Sequence, residues 1–158
     1  MAFSFNDEQQ AFREVVQRFL ADKSPPTEVR RLMATEAGYD EGVWLAMADE
    51  LGITGLTVPE AFGGQGFGPV ELGIVVEEMG RALLCAPFFS ASVMAASAIR
   101  HAASAGQQER LLPDVAAGIN RATVAAQEAD GHWDPAAVGM VAERTADGFR
   151  LNGSKHFV

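Results

Sequence analysis

The apolar residues of this chain change their spacing near Gly118, and that change limits what it can fold into. Before it they recur at intervals of three and four. After it they fall in short runs separated by Asp147-Gly148 and Asn152-Gly153, dipeptides that favour tight turns. The first pattern suits amphipathic helices and the second suits strands joined by hairpins. The fold class is therefore mainly α: an all-α helical domain over residues 1–118, followed by the first strands of a β-barrel-like domain over 119–158, α+β overall. Strands are expected over Ala122–Ala126 and Val138–Ala142, with Phe149-Arg150-Leu151 between the two turns. The sheet so begun ends at Val158 inside an apolar run, leaving an unpaired edge. Either another polypeptide completes it, or the chain is a truncated piece of a longer protein.

Local signals divide the helical part. Phe12, Val15, Val16, Phe19 and Leu20 line one face of a helix from Asn6 to about Ala21, with Asn6 and Gln9 as a capping box. Pro25 and Pro26 end it, and Thr27 is the expected cap of a second helix to about Thr35. Asp40 caps a third, in which Val43, Trp44, Met47, Ala48 and Leu51 face inward and Gly52 is the stop. Ile53, Leu56 and Val58 form a partly extended stretch. Pro69 opens a long helix to about Leu84, whose buried stripe is Leu72, Val75, Val76, Met79 and Leu83. An Ala/Ser-rich helix from Ser90 to Ser104 follows, its small residues suited to close packing, and then a helix over Gln107–Ala117 closed by Gly118.

Few of the chemistry-bearing residues form constellations. Gly63, Gly64, Gly66 and Gly68 invite a phosphate-loop reading, but Pro69 stands where a third glycine should be and no Gly-Lys-Ser/Thr follows. Glu77 and Glu78 are adjacent, so on a helix they point about 100 degrees apart and do not converge on one atom. A solvated face is the expected role. His101, His132 and His156 have no partner spacing, so neither a triad nor a metal site is expected. Cys85, the single cysteine, sits among Ala82, Leu83, Leu84 and Ala86 and reads as an inert packed thiol in a reducing compartment. With 21 acidic against 12 basic residues and a net charge of -9, the chain lacks the cationic clusters that nucleic acid requires. No apolar run reaches the ~18 residues of a membrane span and no secretory leader is evident. A soluble, cytoplasmic protein is expected.

The segment Leu51-Gly52-Ile53-Thr54-Gly55-Leu56-Thr57-Val58-Pro59-Glu60-Ala61-Phe62-Gly63-Gly64-Gln65-Gly66 resembles the L-G-x-x-G-L-x-x-P-E-x-x-G-G-x-G signature of the acyl-CoA dehydrogenase family. The F-x-x-x-Q-x-x-F-R-x-x-V-x-x-F helix at 5–19, E-E-M-G-R-A at 77–82, Q-x-x-x-L-L-P-x-x-A-x-G at 107–118 and L-N-G-S-K-H-F-V from Leu151 agree in the same order. The resemblance implies an N-terminal helical domain and about a third of a middle β domain. It also implies α,β-dehydrogenation of an acyl-CoA thioester, in which a carboxylate takes the α proton and hydride passes to FAD. That carboxylate would lie in a C-terminal part, so no catalytic residue is assigned in these 158 residues, which alone would be inactive. The family further implies an electron-accepting flavoprotein as partner, and a homo- or hetero-oligomer of such chains.

By the same resemblance, Val124, Ala126, Gln127, His132, Trp133, Phe157 and Val158 line the FAD site. Phe88, Phe89, Ser92, Val93 and Ala96 help form the acyl pocket. Where the family carries T-E-P-x-x-G-S-D, this chain reads Gln127-Glu128-Ala129-Asp130-Gly131-His132-Trp133-Asp134. An imidazole and an indole thus replace the glycine and serine, adding bulk where backbone should approach the cofactor. Two readings follow: a flavin-dependent dehydrogenase, or a flavin-deficient structural subunit that pairs with an active relative.

Overall fold

The computed structural model describes residues 4–158, which divide into two compact units, one up to residue 122 and one over 123–158. In the first unit, α1 spans Asp7–Lys23, α2 Pro26–Met33, α3 Glu41–Asp49, α4 Pro69–Arg81, α5 Ala96–Ala102 and α6 Ala105–Ala116. Asn6 and Gln9 close the expected capping box on α1, and the Asp40 carboxylate caps α3 by accepting from the Val43 amide. The second helix departs from expectation. Pro25 occupies its cap and Pro26 its first turn, where a missing N–H costs nothing, and Thr27 makes no cap bond.

Two clusters form the core. One joins Val16, Phe19 and Leu20 of α1 to Trp44 and Met47 of α3, Ile53, Leu56, Val75, Met79 and Phe88. Trp44 is fully enclosed and its indole N–H donates to the Gly118 carbonyl at 2.7 Å. Thr54 donates from its hydroxyl to the Ala116 carbonyl at the same end of α6. The other cluster gathers Val58, Ala96, Leu112, Val115 and Ala116. Residues 53–58 are buried but not extended: Ile53–Gly55 is one turn of 3-10 helix, entered through Gly52 at φ +65°. α5 packs on α6, as small residues permit, but the preceding Phe89–Ala95 is a π-helical turn rather than a regular start to that helix.

The stripe on α4 also differs. Ile74, Val75, Glu78 and Met79 are buried, while Val76 is at the surface and Leu83 is 69% exposed. The helix ends at Arg81 and Leu83 turns into the left-handed region at φ +51°, so the spacing that placed it on the stripe no longer applies.

The second unit is sparse. It has one turn of 3-10 helix, Pro135–Ala137, and a hairpin of β1, Ala142–Thr145, and β2, Gly148–Leu151, antiparallel with Ala142 opposite Leu151 and Thr145 opposite Gly148. The turn is Ala146-Asp147, one residue ahead of the expected Asp147-Gly148 pair, because Gly148 already pairs with Thr145. The strand expected over Val138–Ala142 starts only at Ala142, and Ala122–Ala126 has no ladder partner among the described residues. An apolar run becomes a strand only where a neighbour accepts its hydrogen bonds.

Candidate functional site

The glycine-rich turn is settled by where its amides go. The N–H groups of Gly63, Gly64, Gln65, Gly66 and Phe67 donate to the carbonyls of Glu60, Pro59, Gly55, Val58 and Leu56, respectively. No donor in that run is left for a phosphate. Glycine is required for approach instead: a Cβ on Gly64 would collide with the Val58 carbonyl, and one on Gly55 would stand 2.8 Å from the Ala116 side chain.

Glu78 is not on a solvated face. Its side chain is 1% exposed and accepts from Arg13 Nε at 2.6 Å, Gln17 Nε2 at 2.8 Å and Arg81 at 2.8 Å, while Glu77 takes the other arm of Arg13. Burial alone would push this carboxyl up, but the bonds from Gln17, Arg13 and Arg81 outweigh it and hold it below the ordinary carboxylate range. The same contact with Glu78 raises Arg13. Glu71 extends the seam, accepting from Gln9 of α1 and, at the head of α4, from the Gly68 amide. These carboxylates latch α1 to α4. The sequence carried no signal for this, because Arg13 and Glu78 lie 65 positions apart.

Of the residues assigned to an acyl pocket, the structure brings Phe88 and Phe89 together on a cavity of about 250 Å³, shared with Val76, Met79, Leu83 and Leu84. Ser92, Val93 and Ala96 do not line it. Val93 packs on the first core cluster and Ala96 lies in the second. Ser92 is buried with its hydroxyl unpartnered among the described residues. A larger groove of about 520 Å³ runs between Leu20, Val29, Met33, Arg81 and Leu83, none of which the sequence marked as a site. Cys85 is half-buried, its thiol facing the Leu83 and Val29 carbonyls at 3.8 and 4.0 Å.

In the second unit the two stretches assigned to a flavin lie side by side. The His156 amide donates to the Gln127 carbonyl at 2.9 Å, and Lys155 Nζ donates to the Ala126 carbonyl at 3.1 Å. Gln127 turns its side-chain amide onto the Gly131 carbonyl at 3.3 Å. His132 and Trp133 point outward, Trp133 being 75% exposed, so their bulk does not fill the space within this unit. Val124 is half-buried; Ala126, Phe157 and Val158 are exposed.

Glu128 organises this unit, a role that sequence reasoning missed. Its carboxylate accepts from the Gly139 and Met140 amides, each at 2.9 Å, and from Lys155 Nζ at 2.8 Å. Lys155, then the two amides, pull its pKa down to about 2. Among the described residues no group of three His, Cys, Asp or Glu is gathered for a metal, and no helix is long and apolar enough to cross a membrane.

Residues 6–119 match the acyl-CoA dehydrogenase N-terminal domain. Acyl-CoA dehydrogenase IpdE2 of Mycobacterium tuberculosis is 37% identical over 87 residues, which are 55% of this chain and 27% of that protein. A solved variant of the Tcur3481-Tcur3483 steroid ACAD superposes with a TM-score of 0.84 at 35% identity, covering 95% of this chain and 40% of that one. The ChsE4-ChsE5 complex from Mycobacterium tuberculosis gives a TM-score of 0.84 at 26% identity, over 98% of this chain and 41% of its own. The chain thus spans well under half the length of the proteins it matches. By that match and by its helical domain, the chain belongs to the acyl-CoA dehydrogenase family.

Proposed function

We propose that the protein to which this chain belongs oxidises an acyl-CoA thioester between its α and β carbons, with FAD held by residues of the second unit. The observation that carries the flavin part is the pairing of the His156 amide with the Gln127 carbonyl, which aligns the 124–127 and 156–158 stretches. The donor set fits a flavin. The amides of residues 123–126 donate to no partner among the described residues, and Trp133 and Phe157 are exposed aromatic side chains in the same unit. A heteroaromatic ring system with carbonyls and ring nitrogens along its edge needs both kinds of contact. Bound FAD supplies the hydride acceptor for the reaction. Val124, Ala126, Gln127, His132, Trp133, Phe157 and Val158 hold and orient it. On the first unit, Phe88 and Phe89 offer apolar surface to the acyl chain, with Ser92, Val93 and Ala96 shaping the wall behind them.

No carboxylate of this chain is assigned as the base, because the family resemblance puts it in a C-terminal part; Glu71, Glu77, Glu78 and Glu128 make structural bonds. The partners are an acyl-CoA substrate, an electron-accepting flavoprotein and further chains of the family. The alternative, a flavin-deficient subunit in a hetero-oligomer, is favoured by one observation: Gln127 spends its side chain on the Gly131 carbonyl where the family carries a hydroxyl.

The test is the visible absorption spectrum of the purified full-length protein, followed by reduction with straight-chain and steroid CoA thioesters. Flavin bands bleached by a thioester support the dehydrogenase. A spectrum without flavin bands, even after added FAD, supports the structural subunit.

A further inference from the structure

Polar contacts tie the stretches of this unit to one another, and they converge on two side chains. Glu128 Oε1 accepts from the Met140 amide and from Lys155 Nζ, while Oε2 accepts from the Gly139 amide. Lys155 Nζ also holds the Ala126 carbonyl, and the next residue, His156, holds the next carbonyl, that of Gln127. Consecutive residues thus grip consecutive carbonyls without a regular ladder. The two side chains are mostly shielded, 21% and 16% exposed. A charge-assisted bond with that shielding resists competition from water better than an open surface pair.

We propose that Glu128 and Lys155 are a positioning pair that fixes the distance between the 124–127 and 156–158 stretches, and thereby the orientation of the flavin between them. This rests on the flavin reading above. The pair touches no reacting atom; it acts through the backbone of Ala126 and Gln127 and through the chain that leads into Phe157. An amide at position 128 turns an N–H toward one of the donors that the carboxylate now accepts, and a neutral side chain at 155 releases the Ala126 carbonyl.

The experiment uses the full-length protein with Glu128→Gln, Lys155→Met and Lys155→Arg. It measures FAD affinity, the visible absorption and circular dichroism of bound flavin, and its reduction potential. Glu128→Gln and Lys155→Met are expected to weaken FAD binding by about tenfold, the scale of a donor left without its acceptor, and to alter the flavin circular dichroism. Lys155→Arg keeps the charge and the donors, so it recovers most of both. Should the first two variants fail to fold, Glu128→Asp takes their place: it keeps the charge but is one methylene too short to reach the Gly139 and Met140 amides and Lys155 together, so it is expected to weaken FAD binding and alter the flavin dichroism. Unaltered affinity, dichroism and potential in the variants, with flavin bound to the wild type, would overturn the positioning role alone. A wild type that takes no flavin would overturn the flavin reading and this inference together.

Discussion

Within this chain, residues up to 122 and residues 123–158 are held by contacts of different kinds. The first unit encloses Trp44, Met47, Ile53, Val58, Val75 and Leu112 almost completely and then latches its helices with a buried carboxylate. The second has a two-stranded hairpin, marginal by itself in water, with Phe149 and Leu151 exposed on it. Its stretches at 126–128, 139–140 and 155–156 are joined through Glu128 and Lys155. The hydrophobic effect scales with area removed from water, so it accounts for the first unit, whose large side chains this chain itself encloses. The contacts that this chain makes within 123–158 are a few directional ones.

The chain's two tryptophans test this directly. Trp44→Ala is expected to cost about 3–5 kcal/mol in urea unfolding, since it empties the centre of the first cluster and leaves the Gly118 carbonyl without its donor. Trp133→Ala should shift the midpoint by no more than about 0.5 kcal/mol, as for surface positions in general. Similar losses at both sites would break the comparison. Glu78→Gln keeps the shape but leaves Arg13 and Arg81 facing a neutral amide. Because both arginines keep some water, a loss of about 1–3 kcal/mol is expected, less than for a fully enclosed pair. A double-mutant cycle with Arg13→Met reads the coupling. Gly64→Ala, which drives a methyl into the Val58 carbonyl, should cost about 1–3 kcal/mol by overpacking. A neutral result there would reopen the glycine run as a functional loop.

These sites also show how far the residues alone could be read. The capping box at Asn6, the Asp40 cap and the inward face of Trp44 and Met47 follow from neighbours three or four positions away, and they were legible. The hairpin turn was legible to within one residue, falling at Ala146-Asp147 rather than Asp147-Gly148. Glu78 was not, because its helix repeat marks it as polar while its fate is set by Arg13 on another helix. The π-helical turn at Phe89–Ala95 and the end of α4 before Leu83 have the same origin: local spacing assumes a regular helix that tertiary packing interrupts. In the second unit the expected strand over Ala122–Ala126 lacks a partner among the described residues, and pairing is non-local. The candidate flavin residues came from family likeness rather than from spacing. The pair that ties their stretches together, Glu128 and Lys155, is 27 positions apart and left no pattern to find.

The smallest expected effect gives the sharpest view of the second unit. Glu128 is lowered from 4.5 to about 2, first by Lys155 and then by the Gly139 and Met140 amides. A carboxyl whose folded value is depressed contributes stability that is fully present above its unfolded value. That contribution is lost as pH falls from about 4.5 through about 2. The amide protons of Gly139 and Met140 report it without waiting for unfolding, since they donate to the carboxylate itself. In NMR spectra taken on acidification from neutral pH they should hold their shifts through pH 4.5 and move only toward 2, and Glu128→Gln should abolish that movement. Amides that titrate instead with a midpoint at the ordinary 4.5 would mean that Glu128 is solvated and does not hold the 139–140 and 155 stretches together. If they hold, the carboxylate keeps its three bonds at a pH where a solvated glutamate has already taken up its proton, and the tie between these stretches is one of fixed charge and geometry.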